Sequence, residues 1–158
     1  MSRRYWLLKS EPESFSITDL EKAPKQTAFW DGVRNYQARN FLRDELKVGD
    51  GVLFYHSNAA PPAVAGTATV VGEAEVDPSQ FDPDSDYYDA AAKPEAPRWF
   101  GVRIKLDTVF PRPVSLDTIR ATPTLSTMVL VQRSRLSVQP VTALEWKTIL
   151  KLAATQSS

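Results

Sequence analysis

The sequence predicts a mixed α+β fold, a small and strongly coiled β-barrel with helices around it. Three observations lead there. Strand patterns dominate the middle of the chain, helical patterns sit on its flanks, and Gly66 and Gly72 interrupt the central strand pattern as the bends of a small barrel require.

In chain order, residues 5–8 read as a short strand. Residues 14–23 read as a short helix, with Ser16 or Thr18 as its cap and Pro24 just past its end. Ala38, Phe41, Leu42 and Leu46 recur at i, i+3, i+4 and i+8, the apolar stripe of a helix packed on a core. Gly49 ends that helix in a turn, and residues 52–55 form an apolar strand. Val64, Ala68, Val70, Ala74 and Val76 fall on one face of a run whose other face carries Thr67, Thr69, Glu73 and Glu75. Phe100, Val102, Ile104 and Leu106 alternate with Arg103, Lys105 and Asp107, making the best strand of the chain; Pro111 and Pro113 are expected to break it after Phe110. Residues 115–120 read as a helical turn, and residues 125–131 fit either a short helix or a strand. Leu136 and Val138 read as a strand stopped near Pro140. Thr142 and Glu145 form a capping box for a last helix with Ala143, Trp146, Leu150 and Ala153 on its core side. One domain is expected over residues 1–154, with residues 155–158 as a frayed tail.

Composition narrows the function classes. With 42% hydrophobic residues, four Trp, five Tyr and seven Phe in 158 residues, the chain has enough apolar mass for a real core. No apolar run nears the ~20 residues that cross a bilayer, and residues 5–8 are too short for a signal h-region behind Arg3 and Arg4. The expectation is a cytoplasmic monomer, nuclear in a compartmented cell, with no membrane partner. There is no Cys and one His, so disulfides, thiolate nucleophiles, Cys-based zinc sites and polyhistidine sites drop out. No metal, no cofactor and no catalytic residue is expected. A net charge of zero argues against a bulk electrostatic binder of long duplex DNA. The charge is uneven, however. Residues 77–97 carry Asp77, Asp82, Asp84, Asp86, Asp89 and Glu95 against Lys93, whereas residues 98–151 carry nine bases against Asp107, Asp117 and Glu145. That is either one basic patch or ordinary scatter over a solvated surface. The acidic stretch is long and Pro-rich, the kind of loop that is functional or disordered.

Residues 30–43 are the most informative stretch. They join Trp30, a Gly32 turn, Arg34, Arg39 and Arg43, Asn35 and Asn40, and Tyr36, with no acid between Val33 and Arg43. Cations beside flat rings suit the grip of a nucleotide. The plainer alternative is a turn followed by an amphipathic helix with solvated arginines. Three further segments bring polar groups to strand ends: Lys9, Ser10 and Glu11 after the first strand; Tyr55, His56, Ser57 and Asn58 at the end of the second; and Arg133, Ser134, Arg135 and Ser137 before the last helix. Strand ends of a small barrel converge at its mouth, so these segments are expected to line one pocket with Trp30. No nucleophile elbow, phosphate loop or paired-carboxylate motif is present, and His56 reads as structural or ligand-contacting.

At these residues the chain resembles the EVE domain family, a branch of the PUA-like superfamily. The matching blocks are Y-W-L-L-K-S-E-P at 5–12, W-D-G-V-R-N-Y-Q-A-R-N-F-L-R at 30–43, Y-H-S at 55–57, Y-Y-D at 87–89 and S-R-L-S-V-Q-P-V at 134–141. The resemblance implies a PUA-like β-pseudobarrel with peripheral helices and a pocket at its mouth for a flipped, modified cytosine-type base on DNA or RNA. It implies Trp30 and Tyr55 as pocket aromatics, with Lys9, Ser10, Glu11, Ser57 and Asn58 as edge-reading groups. It further implies Arg34, Asn35 and Arg39 as backbone or base contacts, and Ser134, Arg135 and Ser137 as the remaining wall. Two alternatives stand beside the base reader: an RNA-binding accessory domain indifferent to modification, and a small nucleotide-acting hydrolase built on His56 and Glu11.

Overall fold

In the computed structural model of the chain, residues 3–132 and 135–155 are described. The strands are β1 (Tyr5–Ser10), β2 (Thr27–Trp30), β3 (Gly51–His56), β4 (Ala63–Val70), β5 (Glu75–Val76), β6 (Phe100–Ser115) and β7 (Val138–Val141). The helices are α1 (Ile17–Lys22), α2 (Tyr36–Asn40), α3 (Leu116–Arg120), α4 (Val129–Gln132) and α5 (Ala143–Thr155). The strands run β2-β6-β4-β3-β1-β7 across one sheet, with β5 paired to β6. β1 and β3 are parallel and the other pairs antiparallel. This mixed, bulged sheet with helices at its flanks agrees with the coiled barrel that the patterning predicts and with the pseudobarrel that the resemblance implies.

The sheet is buried on both faces, and the period of two along a strand sorts its residues between two cores. Trp6, Leu8, Val52, Phe54, Val102 and Ile104 join one cluster with Ile17, Leu20, Trp30, Ala38 and Leu42. Leu7, Leu53, Tyr55 and Val114 join the other, with Ile119, Leu125, Met128, Trp146 and Ile149. Capping follows the sequence closely. Ser16 and Asp19 close a reciprocal box on α1, and Thr142 and Glu145 close one on α5, at 3.0 and 3.1 Å.

Several expectations are corrected. The strand through Phe110 does not end at Pro111; β6 continues to Ser115. Val109 pairs with Gly66 and Val114 with Val64, so residues 110–113 bulge out opposite Ala65 alone. The prolines fall in that bulge, where the ladder asks for no N–H. The same irregularity moves Val64 to the opposite core from Ala68 and Val70, instead of all three sharing a face. β4 stops at Val70, and only the exposed Glu75–Val76 pair resumes as β5. Pro140 lies inside β7 opposite Trp6, tolerated because β7 is an edge strand. Residues 125–131 resolve as a 3₁₀ turn at Pro123–Leu125 followed by α4. The expected helix ending at Leu46 is α2 continued by a wide π turn, Phe41–Glu45, in which Leu46 N–H donates to Phe41 O at 2.9 Å. Thr155, expected in the tail, still belongs to α5, and residues 156–158 lie outside the described residues.

Gly66 permits the bulge. A Cβ there would collide with the backbone carbonyl of Thr108 and with Ile17. Backbone cannot swing aside as a side chain can. Gly66→Ala is therefore expected to destabilise the protein by about 3 kcal/mol, the upper end of overpacking costs, read as a lowered urea midpoint with an unchanged slope.

Candidate functional site

Because β1 and β3 run parallel, their C-terminal ends emerge side by side on one rim. Lys9, Ser10 and Glu11 leave one end and Ser57 follows the other. Arg135 and Ser137 approach from the segment before β7, and Trp30 closes β2. Together they line a cavity of about 600 Å³, within the usual range for small-molecule sites. Backbone bonds stitch the rim: Lys9 N–H donates to Ser137 O and Ser57 N–H to Ser10 O, both at 3.0 Å. Ser10 Oγ–H donates to Phe15 O at 2.6 Å.

Trp30 is 7% exposed. Phe15 and Phe54 meet its rings edge-on, with centroids 6.5 and 5.3 Å away. It is thus core residue and cavity wall at once. Tyr55 does not join it. Strand alternation turns Phe54 toward Trp30 and Tyr55 into the opposite core, 3% exposed, where burial raises its pKa. The expectation that Trp30 and Tyr55 line one cavity is corrected on that ground. Lys9 Nζ lies 5.8 Å from the Tyr55 ring centroid.

His56 is also turned to structural use. Its Nε2 accepts from the Ile17 N–H at 3.0 Å at the start of α1, and its ring packs edge-on against Phe54. Accepting at Nε2 requires the neutral ring with its proton on Nδ1. His56 is not among the residues lining the cavity.

The arginines part company. Arg34 lines the cavity, but all five of its N–H groups are engaged. They donate to Tyr87 O twice, at 3.0 and 2.7 Å, to Val33 O at 2.9 Å, and to Asp77 Oδ2 and Ser79 Oγ at 3.0 Å each. It holds the acidic loop in place instead of offering a free cation. Arg39 donates to Arg98 O at 2.7 Å and lies over Tyr36, away from the cavity lining. Asn35 caps α2 through Ala38 N–H at 2.9 Å, and Asn58 is exposed with φ of 50°; neither lines the cavity. Of the second basic pair, Arg135 is an exposed lining residue, whereas Arg133 and Ser134 lie outside the described residues. Among the described residues the cations that line the cavity are Lys9, Arg34 and Arg135, and Arg39 is not one of them.

Sequence reading missed Phe15, Phe29, Asp31, Val33 and Tyr87, which also line the cavity. Asp31 and Val33 stand inside the 30–43 block and Tyr87 inside the Y-Y-D block, so adjacency to recognised blocks was the available signal. Tyr87 comes from the acidic loop. That loop is anchored by buried Gln80, which donates to Asp77 O and Trp99 O and accepts from the Arg98 and Trp99 N–H groups. Tyr87 covers Gly32, whose φ of 76° already favours glycine and whose missing Cβ leaves room for the ring.

Charges inside the cavity are perturbed by their surroundings. Burial lowers the pKa of Lys9. Burial, and then the Asp77 charge, raise that of Asp31, against its own backbone N–H and Arg34. Burial alone would raise Asp77 too, but hydrogen bonds from Ser79, the Gly32 N–H and Arg34 outweigh it and hold its pKa below 3.8.

Two outcomes follow. Arg34→Lys keeps the charge but cannot reach Tyr87 O, Ser79 and buried Asp77 together. It should cost about 3 kcal/mol and open residues 77–97 to limited proteolysis. For His56, burial holds the folded pKa below 6.5. The unfolded chain then binds the extra proton, so the stability due to His56 is full above the unfolded pKa and is lost as pH falls through the folded one. His56→Gln, which retains an acceptor without titrating, should flatten the fall in urea midpoint between about pH 7 and pH 5.

Residues 4–152 match the EVE domain family. The chain is 43% identical to thymocyte nuclear protein 1 of Mus musculus, over 98% of this chain and 75% of that protein. The structure matches a hypothetical protein from Leishmania major with a TM-score of 0.93 at 45% identity, covering 97% of this chain and 96% of the other. It matches human THYN1 protein, solved in complex with 5-methylcytosine-containing DNA, with a TM-score of 0.92 at 40% identity, covering 98% and 99%. Similarity of this extent across sequence and structure leads to one conclusion: the chain belongs to the EVE domain family.

Proposed function

We propose that this chain is a nucleic-acid-binding module that takes a flipped, modified base of the methylated-cytosine kind into the cavity beside Trp30, and that it binds without catalysing a reaction. The observation that carries this reading is the combination of the site and the relative. A cavity of about 600 Å³ has aromatic walls and a mixed polar rim, and a protein of nearly the same fold, human THYN1, was solved with 5-methylcytosine-containing DNA. The energetics are those of a modest binder. Flipping a base costs a few kcal/mol of unstacking. Contact with an aromatic plane returns about 1–3 kcal/mol, and a methyl group in an apolar slot adds about 1–3 kcal/mol of discrimination. Phe15, Phe29 and Val33 supply apolar surface for that methyl.

The hydrolase reading loses its base, because the acceptor nitrogen of His56 already serves the Ile17 N–H. The neutral chain and the engagement of Arg34 in the fold favour recognition of one nucleotide over a long backbone track.

The test is binding of short DNA and RNA oligonucleotides, with and without 5-methylcytosine, at low and physiological salt. Tighter binding of the modified strand with a shallow salt slope is expected, because few phosphates are touched. Trp30→Ala is a poor probe: emptying a core position of that size costs about 3–5 kcal/mol of stability. Trp30→Leu keeps the apolar volume better and removes the ring plane, and should weaken binding about tenfold or more while the chain stays folded. Equal affinity for modified and unmodified strands, or a Trp30→Leu protein that binds as well as the parent, would contradict the reading.

A further inference from the structure

We propose that Asp31 reads the Watson–Crick edge of the base, sharing one proton with a basic ring nitrogen while accepting from the adjacent exocyclic amine. This rests on the base-reading function above and names the class of base: one with an amine beside an unprotonated ring nitrogen, as in cytosine.

Asp31 and Glu11 are the acids that line the cavity among the described residues, and the hydrogen-bonded aspartates of the fold differ sharply from Asp31 in their surroundings. Asp77 receives hydrogen bonds from Gly32, Arg34 and Ser79. Asp50 receives them from Arg4, Trp6 and Lys47, and Asp89 from Trp99 and Ala91. Asp31 alone among these lines the cavity, immediately after Trp30, and no other described residue donates to its carboxylate. It is held in place by its neighbours in the chain, between a buried indole and a left-handed glycine.

Among the described residues, Asp77 and Arg34 act on its charge, and Lys9, Glu11, Arg34 and Arg135 line the same cavity. Asp31 stays open to solvent, and the partial desolvation it meets in the cavity, followed by the Asp77 charge, raises the basicity of its carboxylate. A carboxyl group and cytosine, with one proton between them, make two parallel hydrogen bonds. The amine donates to one oxygen, and the proton bridges the other oxygen and the ring nitrogen. The proton comes from solvent. Thymine presents a ring N–H and a weakly basic carbonyl on the same edge, and gains nothing comparable from the added proton.

The experiment measures affinity for two otherwise identical single-stranded DNA oligonucleotides, one with 5-methylcytosine and one with thymine, between about pH 8 and pH 6. Proton uptake on binding should strengthen the 5-methylcytosine complex as pH falls, by up to about tenfold per pH unit, and leave the thymine complex with a smaller slope. Titration of Lys9 would act on both oligonucleotides alike, so the difference between the slopes isolates Asp31. Asp31→Asn should retain binding, because an amide offers the same donor and acceptor, but should erase that difference. Parallel slopes for the two bases, or a difference that survives Asp31→Asn, would overturn this inference alone. Absence of binding to any oligonucleotide would overturn the base reader and this inference together.

Discussion

The guanidinium of Arg34, with every N–H engaged, joins its own turn to two points of the acidic loop more than forty residues along the chain. Its bonds reach Val33 beside it, Asp77 and Ser79 at the start of the acidic loop, and Tyr87 within it. Ordering a loop of that length carries a large conformational cost. One planar cation with five donors offsets it by satisfying backbone and carboxylate groups in a fixed geometry. The cavity inherits its shape from this arrangement. Tyr87 lies over Gly32 because Arg34 holds the loop there, and Asp31 feels the Asp77 charge because the same contact brings the loop close.

The two-sided sheet imposes the second constraint. With cores on both faces, each buried strand residue belongs to one or the other, and the neighbours Phe54 and Tyr55 are divided between them. Hence the aromatic partners of Trp30 are Phe15 and Phe54, and Tyr55 serves the core beneath Trp146 and Ile119. The parallel pairing of β1 with β3 then decides the place of the site, because it delivers two polar strand ends to the same rim.

The cavity that results is electrostatically mixed. Lys9, Arg34 and Arg135 share it with Glu11 and Asp31, and Arg34 is neutralised by buried Asp77. Such a wall has little field with which to attract a polyanion from a distance. It suits a ligand that presents donors, acceptors and a flat apolar face at close range, as a nucleobase does.

Local patterning in the sequence was sufficient for β1, β3 and the first part of β6, the cap at Thr142, and the apolar stripe through Ala38, Leu42 and Leu46. Each of these is settled by neighbours within a few residues, through alternation, spacing or a capping bond. The convergence of Lys9, Ser10, Glu11, Ser57, Arg135 and Ser137 on Trp30 was legible too, because polar strand ends of a small barrel have one mouth to share. Tertiary structure alone decided the rest. The bulge that lets β6 run through Pro111 and Pro113 depends on Gly66 meeting Thr108, forty-two positions away in number but adjacent in space. Arg34 read as a nucleic-acid contact because its acceptors in the acidic loop lie 43 to 53 residues along the chain, and His56, read as structural or ligand-contacting, could still be offered as the base of the hydrolase alternative because the N–H it serves is 39 residues distant. Hydrogen-bond partners at that separation leave no trace in local spacing. A polar residue's sequence context shows what it is able to donate or accept, and only the folded chain shows whether a partner is already there.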